Sequence, residues 1–430
     1  MKKNVPQKWN ILALAIFLFI LDRFWGFIYT KTIYANPIWE YLSVLFFLFI
    51  FLWIAKKYHW GAWSNLSMAW APYVLLTFFG YALTPSIRAP YWLICLIILL
   101  VAQRNSILPF VPSKLLFWGG IFAFSGILVQ IFFPSFYSSR ISVMFINDES
   151  LENWSEGYGF NGFTFQLGVT ASILIYGEVV WLYLKDNIFN KKLLNIITYY
   201  LILTILIVGV FLTGKRLLAA LALVLPFLVY FFSRKLTIGK ILTIFFSIIL
   251  AYFAFDYFIS NLSKYSDSLI LRRFVYSYVE AKAGNDITSE RSYLFQLAWE
   301  TFEKKPIFGI GVDQFRAVTG AYTVVHNTYM QVLCEQGVFG FLLFFPPIVY
   351  CFIYTIRLIL RVKNEYLVNY LKTSLAFQLI YIIYSLTGNE NIGTGYIMYF
   401  IGIAIVISVE KELNNGLKIY RHYENNNLCS

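Results

Sequence analysis

Long runs of apolar residues, separated by short polar segments, recur along the whole chain of 430 residues. A helix needs about 20 predominantly apolar residues to cross roughly 30 Å of hydrocarbon, and many of these runs approach that length. In lipid, backbone groups must be paired inside a helix or a closed barrel, and the sequence lacks the short alternating strands of a barrel. The pattern therefore predicts an all-α, polytopic integral membrane protein.

Counting the apolar runs gives about twelve transmembrane spans, and no soluble domain is appended to them. We therefore treat residues 1–430 as a single polytopic membrane domain. The first run continues into Asp22 and Arg23 without a small-residue cleavage site, which predicts an uncleaved span. The expected spans lie near 9–29, 38–55, 66–83, 90–108, 115–133, 163–184, 193–213, 216–232, 240–259, 338–360, 371–387 and 391–409.

The net charge of +12 follows the predicted topology. With the N-terminus in the cytoplasm, most lysines and arginines fall in inner loops and few fall in the short outer loops, as the positive-inside rule requires. Both termini are therefore expected in the cytoplasm. Because the positive charge is accounted for in this way, we expect membrane lipids and no nucleic acid among the partners.

Two loops on the predicted outer face are long. Residues 134–162 form an acidic loop that contains NDESLENWSEGYGFNG, and residues 260–337 form a larger loop between spans nine and ten. The larger loop far exceeds the length needed to connect two helices, and long loops on rigid scaffolds often carry function. We therefore expect the active site in residues 260–337.

The larger loop contains the patterns of two helices. In SERSYLFQLAWETFEKKPIFGIG, Ser289 is a candidate helix cap, and apolar residues from Leu294 to Phe302 then share one face. This segment is expected to be an amphipathic helix on the outer membrane surface. Asn327 is predicted to cap the helix that follows.

Basic residues at one outer turn depart from the positive-inside trend. The turn LTGKRLLA places Lys215 and Arg216 on the outer face, where they either extend towards water from a tight turn or bind an anion. The planar guanidinium group matches two phosphate oxygens, and lysine adds a point charge. Further cations on the predicted outer face are Arg88, Arg272, Arg273, Arg291 and Arg316.

His326 lies at the end of the larger loop, before span ten. A lone histidine is more often a packing residue, but arginines on the same face suggest chemistry on a pyrophosphate-linked substrate. Pyrophosphate leaves readily once its charge is stabilised, whereas the attacking sugar hydroxyl needs a base, a role that histidine fills near neutral pH. No metal-ligand cluster is recognisable in the sequence, so no metal and no cofactor are expected.

Three motifs resemble those of the O-antigen ligase and polymerase family: the TGKR turn, the ER…PIFGIGVDQF segment and HNTYMQVLCEQGVFG. The motif resemblance covers residues 210–345, and the topology is similar along the whole chain. It implies a metal-independent glycosyltransferase of the bacterial inner membrane that uses an undecaprenyl-pyrophosphate-linked glycan donor, a glycan acceptor and an active site on the outer face.

The resemblance also implies roles for individual residues. By position, Arg216, Arg291 and His326 are the candidate catalytic residues. Glu335 is expected to pair with an outer arginine. The candidate substrate-binding residues are Lys215, Asn327, Arg272, Arg273 and Glu335.

Several functions fit this sequence. We favour a polymerase of surface polysaccharide, such as O-antigen, capsule or exopolysaccharide, with a chain-length regulator as an open further partner. An O-antigen ligase that transfers glycan to a lipid A core shares the motifs. A flippase predicts charged residues near the bilayer midplane, whereas the polar residues here concentrate in one outer loop. A structural protein of the envelope would not require the histidine and arginines.

The predicted topology can be tested by labelling from outside the cell. Tags at 150 and 285 should react with an impermeant reagent, because they lie in the predicted outer loops. Tags at 188 and 365 should react only after the membrane is opened. Protection of the tag at 285 would contradict an active site on the outer face.

Overall fold

The described part of the chain consists of helices and the turns and loops that join them. The computed structural model describes residues 14–16, 18–20, 37–57, 63–83, 89–104, 113–142, 159–164, 166–184, 192–233, 237–239, 291–388 and 395–427, with single residues between 242 and 279. No strand occurs within these ranges. The all-α fold class is therefore confirmed for this part of the chain.

Most of the long helices overlap predicted apolar runs. In chain order the helices are α1 (Pro37–Lys57), α2 (Asn65–Leu83), α3 (Ala89–Arg104), α4 (Ser113–Phe132), α5 (Leu167–Leu184), α6 (Lys192–Leu212), α7 (Arg216–Phe232), α8 (Arg291–Lys304), the short α9 (Phe315–Thr319), α10 (Thr328–Arg361), α11 (Glu365–Tyr384) and α12 (Gly395–Asn427). The predicted spans near 9–29 and 240–259 fall mostly outside the described residues.

Three helices of the described part are long and apolar enough to cross a membrane, namely Leu167–Leu184, Leu193–Leu212 and Thr328–Arg361. A fourth results if the bent pair Leu116–Phe132 and Pro134–Ile141 counts as one span. Large apolar side chains remain exposed along α6 and α7, as expected for helices that face lipid. These features indicate a helical membrane protein. The total of about twelve spans and the position of the large loop stay predictions.

Among the described helices, α5 is one of the most deeply buried. It packs against α4, α6, α7 and α11, and residues 169–181 are all buried. Small residues allow α4 to approach closely, since a Cβ atom at Gly177 would lie 2.9 Å from the carbonyl oxygen of Leu116. Helix α11 also packs against α7, α10 and α12. This packing brings the ends of α5, α7, α10 and α11 into one region.

The chain between α4 and α5 differs from the predicted loop over residues 134–162. After α4 the helix axis turns by 108° into Pro134–Ile141, so the first part of the predicted loop is helical. Pro134 lacks an amide hydrogen and suits the first turn of a new helix, which explains the break at this residue. The Tyr137 hydroxyl donates a hydrogen bond to the Gly162 carbonyl at 2.5 Å, so the far end of the predicted loop packs on this bend.

Helix α10 begins well before the predicted span at 338. It starts at Thr328 and bends at Gly337, where φ is 64° and ψ is −168°. This backbone conformation is essentially restricted to glycine. The predicted loop boundary at 337 is therefore a kink inside one helix, and the end of the predicted loop is helical.

The kink leaves two amide groups without their usual helical partners. In an unbroken helix each amide bonds to the carbonyl four residues earlier. Here the Val338 amide donates instead to the Pro306 carbonyl at 2.8 Å, and the Phe339 amide donates to the Ile307 carbonyl at 3.1 Å. The loop after α8 thus supplies the acceptors that the bent helix lacks.

The same loop also satisfies the carbonyl groups that the kink frees. The Ile310 amide donates to the Cys334 carbonyl at 3.2 Å, and the Gly311 amide donates to the Glu335 carbonyl at 2.8 Å. We refer to residues 306–311, with these four hydrogen bonds to α10, as the loop clamp. The loop clamp gives a physical reason why the motifs PIFGIG (306–311) and EQG (335–337) occur in one chain. Each motif provides hydrogen-bond partners for backbone groups of the other.

Replacing Gly337 by alanine should destabilise the protein strongly. A Cβ atom there would lie 2.3 Å from the Ile307 carbonyl oxygen and would occupy a backbone conformation that alanine avoids, which together cost on the order of 3 kcal/mol or more. The melting temperature of the purified protein in detergent, followed by tryptophan fluorescence, measures this effect.

Gly320→Ala is the matched control, because Gly320 also has a positive φ of 71° but has open space around its Cβ position. Its cost should be limited to about 1 kcal/mol. Equal melting temperatures for the two variants would contradict the loop clamp.

Candidate active site

The polar turn between α6 and α7 carries the sequence TGKR. Gly214 has a φ of 68°, which permits the tight reversal. The Thr213 hydroxyl donates to the Val210 carbonyl at 2.7 Å, and the Lys215 amide donates to the Thr213 hydroxyl oxygen at 3.4 Å. Helix α7 then begins at Arg216. The turn therefore holds Lys215 and Arg216 at the start of a helix, where the helix dipole also favours an anion.

Residues 159 and 160, which lie before α5, pack against the turn between α6 and α7. The Phe160 amide donates to the Leu212 carbonyl at 3.0 Å. Gly159 has a φ of 152°, and a Cβ atom on it would lie 2.2 Å from the Thr213 carbonyl oxygen. The backbone at the end of the predicted acidic loop thus lies directly against the turn, and any side chain at 159 would push the two backbones apart.

Arg291 is the first residue of α8. The predicted apolar face of this helix is confirmed, with Leu294 and Ala298 fully buried. They belong to a small core whose buried members are Leu294, Ala298, Phe315, Val325 and Cys334. Because Val325 directly precedes His326, this core fixes the position of His326 relative to α8 and its first residue.

His326 directly precedes the cap of α10. The predicted capping role of Asn327 is confirmed, since its side-chain oxygen accepts a hydrogen bond from the Met330 amide at 3.0 Å. The Asn327 side-chain nitrogen donates to the Leu386 carbonyl at 3.1 Å. One asparagine thus starts the helix and attaches it to the chain beyond α11.

Further hydrogen bonds join the start of α10 to the end of α11. The Thr328 amide donates to the Ser385 carbonyl at 2.8 Å, and the Thr328 hydroxyl donates to the Gly388 carbonyl at 2.9 Å. The Tyr329 hydroxyl donates to the Ile382 carbonyl at 3.0 Å. These contacts hold the last turn of α11 close to His326.

The three predicted catalytic residues and Lys215 come together in this region. The positive charges of Arg216 and Arg291 lie close enough to affect each other. His326 is influenced by the charges of both Arg291 and Lys215. All four side chains are half-buried. Residues far apart in sequence therefore form one cationic site.

Two further residues line this site, and sequence reasoning missed both. A Cβ atom at Gly168, in the first turn of α5, would lie 3.7 Å from Lys215 Cε and 3.8 Å from the Tyr384 hydroxyl oxygen. Tyr384, the last residue of α11, also interacts electrostatically with Arg291. Neither residue lies in a motif, and only the packing of α5 and α11 brings them here.

The electrostatics of the site favour a bound anion. Burial, together with the positive charges of Arg291 and Lys215, lowers the pKa of His326 to about 4, so the imidazole is neutral at pH 7. Burial also lowers the pKa of the Arg291 guanidinium from its usual range, an effect that Tyr384 partly offsets. Positive charges that are half-buried and close together destabilise one another until an anion joins them.

Glu335 is buried and connects α10 to α9. Its carboxylate accepts hydrogen bonds from the Asp313 amide at 3.0 Å, from the Phe315 amide at 3.2 Å and from the Gln331 side chain. Within the described ranges it pairs with no arginine. Arg272 and Arg273 lie outside these ranges, so the predicted ion pair stays a prediction. Backbone donors at the start of α9 satisfy the carboxylate. Its role in substrate binding stays a prediction.

The remaining predicted site residues are not part of this cluster as described. Arg272 and Arg273 lie outside the described residues, as does the expected cap Ser289. Arg316 is exposed on α9. Among the described arginines of the predicted loop, Arg291 is the one whose charge affects His326.

Residues 201–345 match the family model described as O-antigen ligase. This part of the chain is similar to the O-antigen ligase family. No curated protein matches the chain. The matched residues include Lys215, Arg216, Arg291 and His326, whereas Tyr384 lies outside them. The family supports glycan transfer of the ligase or polymerase kind by a membrane enzyme.

The protonation of His326 should depend on whether an anion occupies the site. In the free protein it should remain neutral from about pH 8 down to about pH 5, because its pKa is lowered to about 4. Inorganic pyrophosphate should raise this pKa, because its negative charge offsets Arg291 and Lys215. Nitrogen-15 NMR of the histidine side chains in detergent measures both values.

The chain has three histidines, so His59 and His422 serve as internal references and His326→Ala assigns the third signal. Titration of His326 near 6.5 in the free protein, or a pKa that pyrophosphate leaves unchanged, would contradict the described electrostatics.

Proposed function

We propose that the protein is a polymerase of surface polysaccharide that acts on the outer face of the bacterial inner membrane. It transfers a glycan from undecaprenyl pyrophosphate to a sugar hydroxyl of another lipid-linked repeat unit. The hydroxyl oxygen attacks the anomeric carbon, the bond from that carbon to the pyrophosphate oxygen breaks, and undecaprenyl pyrophosphate leaves with the bonding electrons. The reaction is proposed to need no metal ion and no cofactor.

The observation that carries this proposal is the meeting of Lys215, Arg216, Arg291 and His326 from three separate parts of the chain. A pyrophosphate group at this site would relieve the repulsion between the two guanidinium groups. As the glycosidic bond breaks, negative charge grows on the leaving pyrophosphate, and fixed cations stabilise it most at that stage. Arg216 and Arg291 are the proposed donors to the pyrophosphate oxygens, with Lys215 beside them.

His326 is the proposed acceptor of the proton from the attacking hydroxyl. A histidine whose pKa is about 4 is neutral but weakly basic. Donor binding brings negative charge next to Arg291 and Lys215, which raises the basicity of the imidazole when the substrate is in place. Binding of the glycan donor therefore makes His326 a stronger base at the stage when it must accept the proton. Asn327 fixes the start of α10 and with it the direction of the ring.

A ligase is the second candidate, and the description of the matching family model favours it. A ligase would use the same donor and the same cationic site but would pass the glycan to a lipid A core or another acceptor. Reconstituted protein supplied with the lipid-linked repeat unit alone separates the two functions. A ladder of longer chains identifies a polymerase, whereas product that appears only after a lipid A core is added identifies a ligase.

Arg216→Ala should weaken donor binding and abolish product formation at a normal protein level. Arg216→Lys should restore activity only in part, because a point charge replaces the bidentate guanidinium poorly. Arg316→Ala removes an exposed arginine from the same domain and should keep full activity. Donor binding to purified protein and chain formation in proteoliposomes measure these effects, and full activity of Arg216→Ala would contradict the proposed role.

His326→Ala should bind donor but form product about 10²- to 10⁴-fold more slowly, the usual contribution of a general base. A metal chelator should leave the wild-type rate unchanged. If purified His326→Ala extends chains at the wild-type rate, the histidine serves only the start of α10 and the proposed mechanism fails.

A further inference from the structure

Tyr384 brings a hydroxyl group close to the Lys215 side chain in the cationic site. A point at the Cβ position of Gly168 lies 3.8 Å from the Tyr384 hydroxyl oxygen and 3.7 Å from Lys215 Cε. The hydroxyl and the lysine side chain therefore approach the same small volume, next to the first turn of α5. Tyr384 also interacts electrostatically with Arg291.

The position of Tyr384 is fixed by the residues around it. Its neighbours Ile382 and Ser385 accept hydrogen bonds from Tyr329 and Thr328 at 3.0 Å and 2.8 Å. These bonds attach the last turn of α11 to the same helix start that positions His326. These hydrogen bonds therefore keep Tyr384 at a fixed position relative to the start of α10, which directly follows His326 and Asn327.

We infer that Tyr384 is a further donor-binding residue, whose hydroxyl group donates a hydrogen bond to an oxygen of the donor pyrophosphate beside Lys215. This inference rests on the proposed function. The inference also gives a role to Gly168. Because Gly168 has no side chain, it leaves space between Lys215 and Tyr384 for the pyrophosphate oxygen. Both residues lie outside the part of the chain that matches the family model.

A tyrosine suits this place because its hydroxyl is a neutral donor. Lys215, Arg216 and Arg291 already place positive charges close together, and another cation would add repulsion. A hydroxyl adds a hydrogen bond to the anion without that cost. The hydrogen bond is charge-assisted on the acceptor side, which makes it stronger than a neutral pair.

Tyr384→Phe removes this hydroxyl and keeps the ring. It should weaken binding of undecaprenyl pyrophosphate, the probe ligand, about 10- to 100-fold, as expected for a hydrogen bond to a charged group. KM for the lipid-linked donor should rise correspondingly, while the melting temperature stays close to that of the wild type. Tyr370→Phe, near the opposite end of α11, is the control and should leave binding unchanged.

Substitutions at Gly168 test the same volume independently. Gly168→Ala should be tolerated, because its Cβ atom would make ordinary van der Waals contacts. Gly168→Leu should block binding of the probe, because the longer side chain fills the space between Lys215 and Tyr384. Wild-type binding by Gly168→Leu would contradict the assigned volume.

The outcomes separate this inference from the function on which it rests. If His326→Ala is inactive and Tyr384→Phe binds the probe as tightly as the wild type, the role of Tyr384 is wrong and the proposed function stands. If His326→Ala and Arg216→Ala are both fully active, the proposed function itself fails, whatever Tyr384→Phe does. Weaker binding by Tyr384→Phe, with Tyr370→Phe unchanged, supports the inference.

Discussion

The exchange of hydrogen bonds between the loop clamp and the kink at Gly337 is the constraint on which the site depends. Helix α10 gives up two internal hydrogen bonds and receives four from residues 306–311. That exchange attaches the end of α8 to a helix of the bundle, so Arg291 at the other end of α8 cannot move independently of His326 at the start of α10. A flexible loop would hold these two residues far less accurately.

The site brings several positive charges close together. Half-buried arginines lie close to each other and to a lysine, and they keep the neighbouring imidazole neutral. The packing of α5, α7, α10 and α11 holds these groups in place against their repulsion. The binding site is therefore preorganised: the cations are already in place before a pyrophosphate group binds, so binding requires little rearrangement.

The sequence allowed the helices and the motif residues to be predicted because each depends on local patterns. Apolar runs predict most of the long helices, and the place of Asn327 before a helical pattern predicts its role as a cap. The helical segment after Pro134 and the short α9 are not predicted by any apolar run. Tyr384 could not be found in this way, because no pattern near it points to a site on another helix. The hydrogen bonds from the Asp313 and Phe315 amides to Glu335 could not be predicted either, because these groups meet only in the folded chain.

The most direct test of the account is a structure of the protein in lipid nanodiscs with an undecaprenyl-pyrophosphate-linked glycan bound. The pyrophosphate should lie between Arg216, Arg291 and Lys215, with the anomeric carbon facing His326 and the undecaprenyl chain in the outer leaflet. A donor whose pyrophosphate lies away from the TGKR turn, or on the inner face of the membrane, would contradict the central claim that these cations bind the leaving group.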